Sequence, residues 1–354
     1  METQLLFISV NLFLLAAPAI GSTSPPIFIF GDSILDAGNN HYNPNCTVQA
    51  DFPPYGSTFF RRPTGRFTNG RTVADFISEF LRIPLQKPYM EIMNGSEKNF
   101  PANGINFASA GSGVLPATNN FFGVTPIQVQ VQQFQSLVAQ NKIGKKGVKD
   151  SMIFIESGSN DIYNYFYPLD PPTLTPDAYV QSMVAQVGHL VDAVYNLGGR
   201  RVAVFGLGPV GCVPARSLLH GAPLGKCYGK MNKMVKNYNM GLQNLVNALP
   251  RSHPGAVAVF GAVYETIQIF RAYPTRYGFV DVEKACCGNG KLGGEVQCGK
   301  EGYKVCKNPN QYLFWDFFHP SERTYKLIAK ALWAGGPTRI RPFNLNTLAN
   351  MSLV

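Results

Sequence analysis

Five short apolar runs, separated by helix-length amphipathic segments, set the strongest limit on what this chain can form. They cover residues 27–30, 104–108, 151–155, 201–205 and 256–260. The intervening segments read as helices over 72–81, 126–140, 177–197, 228–249 and 264–272, with a closing helix at 321–333. Strands that are apolar throughout are covered on both faces, and strands alternating with helices build a parallel sheet between helical layers. A five-stranded parallel sheet with helices on both faces is therefore expected. The chain has 354 residues, 45% of them hydrophobic, which is enough for a large core. No linker or internal repeat divides it, so one domain is expected over 22–354. Two stretches lie outside the pattern. Residues 36–71 form a long Gly-, Pro- and aromatic-rich loop, of a length that usually serves function. Residues 285–307 read as a Cys- and Gly-rich surface excursion.

Residues 5–20 are almost all apolar and are followed by small residues that suit cleavage, so 1–21 is read as a secretory signal. Glu2 makes its first region atypical, and an uncleaved anchor is the alternative. No later stretch is long and apolar enough to span a bilayer, so no membrane span is expected in the mature chain. Seven cysteines fit an oxidising compartment. Cys212 with Cys227 suits a short loop closure, while Cys286 and Cys287 each need a distant partner. The odd count leaves one cysteine over, taken as Cys46. Zinc in the cluster from Cys286 to Cys306 is disfavoured, because paired Cys-x-x-Cys spacing is missing. Asn45, Asn94 and Asn350 head glycosylation motifs, with Asn94 in the most polar loop. The formal net charge of +10 is scattered rather than interleaved with aromatics. That argues against nucleic acid as a partner and allows attraction to an anionic cell-wall polysaccharide.

Chemistry is expected where the strands end. The first run stops at Gly31-Asp32-Ser33, and ligands of open α/β sheets sit beyond the carboxyl ends of strands. Ser33 is read as a nucleophile, although Gly-Asp-Ser is also an ordinary turn or helix cap. Two more strands end in small polar clusters, at Gly111 and Asn160. The N–H groups of Ser33 and Gly111, with the Asn160 side-chain amide, would serve as oxyanion donors. Of five histidines, His319 is the best candidate base. Asp316 stands one helical turn before it, a spacing that lets a carboxylate hold one imidazole nitrogen. The same Asp-x-x-His could simply cap the next helix. His41 is a weaker rival; His189, His220 and His253 read as surface or packing residues.

Several blocks together resemble plant GDSL esterase/lipases of the SGNH hydrolase superfamily. Phe30-Gly31-Asp32-Ser33-Ile34-Leu35-Asp36-Ala37-Gly38-Asn39-Asn40 is similar to their first block. Pro63 to Arg71, Asn106 to Gly111, Gly158 to Asp161 and Asp316 to Pro320 are similar to later blocks, in order. Ala285-Cys286-Cys287-Gly288 resembles the plant branch. Ile34 replaces the leucine of the name-giving motif, an apolar exchange beside the nucleophile. The resemblance implies a flavodoxin-like three-layer α/β/α sandwich. It also implies Ser33 as nucleophile, His319 as base, Asp316 as its orienter, and Ser33, Gly111 and Asn160 as the oxyanion site. Asp32, Asp36, Asn39, Asn69 and Asp161 also fall in these blocks and are expected to support loops.

The expected activity is that of a secreted serine carboxylester hydrolase acting on acyl esters, with lipid esters favoured. Such chemistry needs no metal or organic cofactor. An acyltransferase or a polysaccharide acetylesterase would use the same residues, and a non-catalytic wall-binding protein is the remaining alternative. The loop aromatics Phe52, Tyr55, Phe59, Phe60, Phe121 and Phe122 either line an acyl pocket or fill the loop's own core.

Overall fold

Four apolar residues and a glycine form the central strand β1 (Ile27–Gly31), and all five are buried. The structure, a computed structural model, describes residues 24–96, 98–168 and 172–353. The expected signal segment 1–21 lies outside the described residues. Strand β1 is followed by β2 (Lys87–Pro88), β3 (Ile105–Asn106), β4 (Met152–Glu156), β5 (Arg201–Phe205) and β6 (Val257–Gly261). Further on come β7 (Asp281–Ala285), β8 (Cys287–Asn289), β9 (Val296–Gln297), β10 (Lys304–Val305), β11 (Tyr312–Phe314) and β12 (Ile340–Arg341).

The main sheet has the order β12-β6-β5-β4-β1-β3-β2. Its strands are parallel except β12, which runs antiparallel to β6. Seven strands thus replace the five expected, and the sheet is not wholly parallel. The two unforeseen strands are two-residue edge pairings with no apolar run to betray them. The run at 104–108 shortens to Ile105–Asn106, beyond which the Phe107 and Ser109 N–H groups still donate to the Ile29 and Gly31 carbonyls.

The longer helices are α1 (Val73–Leu81), α3 (Ile127–Ala139), α6 (Pro176–Asn196), α7 (Gly229–Ser252), α8 (Val263–Ala272) and α9 (Glu322–Ala334). Shorter ones are α2 (Tyr89–Asn94), α4 (Lys145–Asp150), α5 (Ser159–Phe166) and α10 (Leu345–Asn350). Helices α3, α6 and α7 pack in series on one side of the sheet. Helices α1, α9 and α10 pack together on the other, as a doubly covered sheet requires. Helix α9 starts where a cap is available: the Ser321 hydroxyl accepts the Thr324 N–H.

Two apolar clusters result. The larger runs through β1, β4, β5 and β6 and their covering helices. The smaller joins Tyr55, Phe67 and Trp315 to Cys286, Cys287 and Cys298. The 285–307 segment is therefore more than a surface excursion. Disulfides Cys286–Cys306 and Cys287–Cys298 pin it, and β7 pairs with β11 immediately before Trp315. These four cysteines are consumed as disulfides, which removes the zinc reading. Cys212 pairs with Cys227, and Cys46 is free and buried, both as expected.

Candidate active site

Strand β1 ends against its neighbours so closely that only glycine fits. A Cβ on Gly31 would lie 2.1 Å from the Glu156 carbonyl oxygen. The Gly31 N–H donates to Gln130 Oε1 and its carbonyl accepts from Gln130 Nε2, both at 2.9 Å, so a buried side chain completes the strand end. Asp32 Oδ1 accepts the Ile34 N–H at 3.0 Å, and the Asp32 carbonyl accepts the Leu35 and Asp36 N–H groups. These bonds fix the turn that carries Ser33 to the edge of the cleft, where it is 8% exposed.

The chain brings Asp316 and His319 to the same place from nearly three hundred positions away. His319 Nε2 lies 2.8 Å from Ser33 Oγ. His319 Nδ1 lies 2.8 Å from each Asp316 carboxylate oxygen. Asp316 also accepts the Phe318 N–H at 2.8 Å, the His319 N–H at 2.7 Å and the Tyr55 hydroxyl at 2.8 Å. Burial pushes the Asp316 carboxyl up, but the charge and hydrogen bond of His319 and these N–H donors outweigh it. The carboxyl sits below its ordinary value and stays ionised. Behind it, the Trp315 N–H donates to the His319 carbonyl, and the Cys287 N–H donates to the Trp315 carbonyl.

Gly111 and Asn160 line the same cleft as Ser33 and His319. Gly111 has φ +82°, a left-handed conformation that favours glycine, and its carbonyl accepts from Asn119 Nδ2. Among the described residues the Ser33 and Gly111 N–H groups meet no acceptor. Asn160 stands at the second position of α5, and its Nδ2 donates to the Ser112 carbonyl at 2.9 Å. An amide nitrogen has two hydrogens, so one remains. Four of the expected site residues therefore line one cleft, and Asp316 is buried behind His319.

The other expectations divide. His41 turns away to Asp51 at the surface, and His253 pairs with Asp192. Asp36 accepts the Gly38, Asn39 and Ala110 N–H groups, and Asp161 accepts those of Val114 and Leu115, so both hold loops. Of the loop aromatics, Phe52, Tyr55 and Phe122 line the wider part of the cleft. Phe59 and Phe60 instead lie under the guanidinium groups of Arg71 and Arg66.

Two features escaped sequence reasoning. Tyr55 was legible only as a loop aromatic, yet it is a ligand of the Asp316 carboxylate. Glu156 ends β4 opposite Gly31, and its carboxyl is buried beside that of Asp32. Desolvation and the neighbouring carboxyl push Glu156 well above its ordinary value, and desolvation also raises Asp32. Two buried carboxyls side by side disfavour ionisation of both at once. A lone acidic residue at the end of an apolar strand was the available signal.

Fold and cleft together set a serine, a histidine and an aspartate in hydrogen-bonded series at the end of a mostly parallel sheet. The chain matches the GDSL-like lipase/acylhydrolase family over residues 27–332 and belongs to that family, as a hydrolase acting on ester bonds. It is 63% identical to GDSL esterase/lipase 6 of Arabidopsis thaliana over 346 residues, which is 96% of this chain and 95% of that protein. It is 34% identical to GDSL esterase/lipase 5 of the same plant over 91% of this chain and 86% of that one. For GDSL esterase/lipase 7, also from Arabidopsis thaliana, the identity is 35% over 93% of each chain.

Proposed function

We propose that the protein is a secreted serine carboxylester hydrolase that cleaves acyl esters, lipid esters among them, through an acyl-enzyme on Ser33. The observation that carries this reading is the 2.8 Å contact from His319 Nε2 to Ser33 Oγ, with Asp316 on the opposite ring nitrogen. In the first step His319 takes the Ser33 proton as Oγ bonds to the ester carbonyl carbon. The oxyanion that forms accepts from the Ser33 and Gly111 N–H groups and the second hydrogen of the Asn160 amide. His319 then gives its proton to the leaving alcohol as the ester C–O bond breaks. Water, deprotonated by the same imidazole, attacks the acyl-enzyme, and the acid departs as Ser33 recovers its proton. Asp316 stabilises the imidazolium without taking a proton, which its low pKa supports.

Export of the chain, with loss of residues 1–21, belongs to the same proposal and is supported by three disulfides. Among the described residues no helix is long and apolar enough to cross a membrane. Attraction of the +10 chain to anionic wall polysaccharide is a further part of it.

The test is turnover of a chromogenic acyl ester by Ser33→Ala. The expected loss is about 10⁴-fold or more with the fold retained. Parental activity in that variant would overturn the assignment.

A further inference from the structure

Two cavities of unlike chemistry meet at Ser33. Both are bounded by Ser33, Asn160, Phe318 and His319, so a molecule bonded to Ser33 Oγ has an outlet on either side. The first cavity, about 70 Å³ in volume, lies between the loop after β5 and helices α8 and α9. Val210, Val213, Val263, Ile267, Ile328 and Leu332 form its far wall. Its one carboxyl, Glu156, is buried beside Asp32, where desolvation disfavours the charged form. A hydrocarbon chain is the guest such a wall recognises. An acetyl group would leave the space unfilled.

The second cavity is wider, about 450 Å³, and lies beneath the 36–71 loop and the Cys287–Cys298 disulfide loop. Its wall is rich in hydrogen-bonding groups that have not found partners. Gln49 Oε1 is buried without one, and the exposed Gln297 side chain is open to a guest, with no hydrogen bond to any described residue. Asn164 donates to Asn119 Oδ1 and leaves its own carbonyl oxygen free. Phe52 and Phe122 offer aromatic faces beside these amides. Lys300 lies over the Phe52 ring, and no arginine joins it in the wall, so the site is not built for a phosphate. Neutral amides with aromatic faces suit a neutral molecule with many hydroxyls and ring C–H groups.

We infer that the substrate is an ester joining a medium or long aliphatic acyl chain to a hydroxyl-rich alcohol, a sugar or polyol. The acyl chain occupies the cavity between α8 and α9, and the alcohol occupies the amide-lined cavity. This rests on the ester-hydrolase reading and narrows it, setting acetylated polysaccharide aside. Hydrolysis adds water across the ester bond, releasing a fatty acid towards one cavity and the free sugar or polyol towards the other.

The test uses the purified full chain on methyl esters and glucose monoesters of acetic, butyric, octanoic and dodecanoic acids. kcat/KM is expected to rise at least about tenfold from acetyl to octanoyl in both series. Glucose octanoate is expected to exceed methyl octanoate by about tenfold, the worth of one or two added hydrogen bonds. Ile267→Trp, which fills the apolar cavity, should lower the octanoyl-to-acetyl ratio by about tenfold. Val263→Phe is the milder version if tryptophan disturbs folding, and the wild-type chain-length series decides without either. Gln297→Ala should lower the glucose-to-methyl ratio by several-fold and leave the chain-length trend in place. A flat or falling chain-length series overturns the acyl assignment. Equal rates for glucose and methyl octanoate overturn the alcohol assignment. An enzyme that turns over some esters yet fails these comparisons loses only this inference. A chain that hydrolyses none of them, and whose Ser33 resists an active-site phosphonate, loses the hydrolase reading as well.

Discussion

Ser33 and His319 touch, but they are held there by two different kinds of structure. Ser33 ends a strand whose residues are all buried, paired to β3 and β4 and closed by Gln130. His319 lies on an irregular segment between β11 and α9, against a small cluster of aromatics and half-cystines. The first support comes from bulk hydrophobic burial in the larger core. The second depends on a few directed ties: Tyr55 and two N–H groups on Asp316, the Trp315 peptide, and the disulfides behind it. Ser33 should therefore keep its place under any insult short of global unfolding, while His319 should be lost from it locally. Variants that affect one region and spare the other break or sharpen this contrast.

The largest effect after removal of Ser33 is expected at Asn160, on the sheet side. Asn160→Ala should lower kcat by about 10²–10³-fold with KM little changed, because the amide acts on charge that develops in the transition state. Steady-state kinetics check this, and an unchanged kcat removes Asn160 from the oxyanion site. Next comes the Cys287–Cys298 disulfide. Replacing both cysteines by serine should cost about 2–5 kcal/mol of local stability, since native disulfides of exported domains are worth that much. Hydrogen exchange should rise in 285–319 and stay slow in β1 and β4, with kcat falling alongside. Equal loosening of both regions would contradict the contrast.

A smaller effect is expected from Tyr55→Phe, which removes one donor from Asp316 and keeps the ring. A fall in kcat of about tenfold fits the loss of one hydrogen bond to a charged group. The pH profile should shift as well, because Asp316 becomes less well stabilised as an anion. Unaltered kcat and pH profile would show that Tyr55 only fills space.

The smallest effect at neutral pH is expected from Glu156→Gln, on the sheet side. The amide can still donate to Asp32, so the Ser33 turn is retained. Glu156 is raised above its ordinary value of 4.5 in the folded chain. The stability this confers is complete below that value and is lost as pH rises through the folded pKa. The variant has no such loss, so its melting temperature relative to wild type should climb as pH is raised. Thermal unfolding across a pH series measures this, and parallel curves would show that the Asp32–Glu156 pair does not titrate as described.

The same contrast explains what could be read from the sequence. Burial leaves a local mark, so β1, β4, β5 and β6 were legible as apolar runs, and Ser33 followed as the residue where one run stops. Asp316 and His319 were legible because the pair is local, three residues apart. The ties that hold them are not local. Tyr55 and Asp316 are 261 residues apart, and nothing in either segment announces the other. The 285–307 segment read as surface because its glycines and lysines outnumber its apolar residues. Its burial comes from disulfides and from Trp315, which only the folded chain brings together. Strands β2 and β12 were missed for the same reason: two residues carry no periodicity, and their pairing is set by the sheet edge they meet.

The central claim is that a serine at the end of the central strand is activated by a histidine borne on the disulfide-braced segment. The most direct measurement is covalent labelling of the full chain by an active-site phosphonate, with the modified residue located by mass spectrometry, in wild type and His319→Ala. One adduct is expected, on Ser33, formed at least about 10³-fold more slowly in the variant. Labelling of another residue, or equal rates in the two proteins, would contradict it.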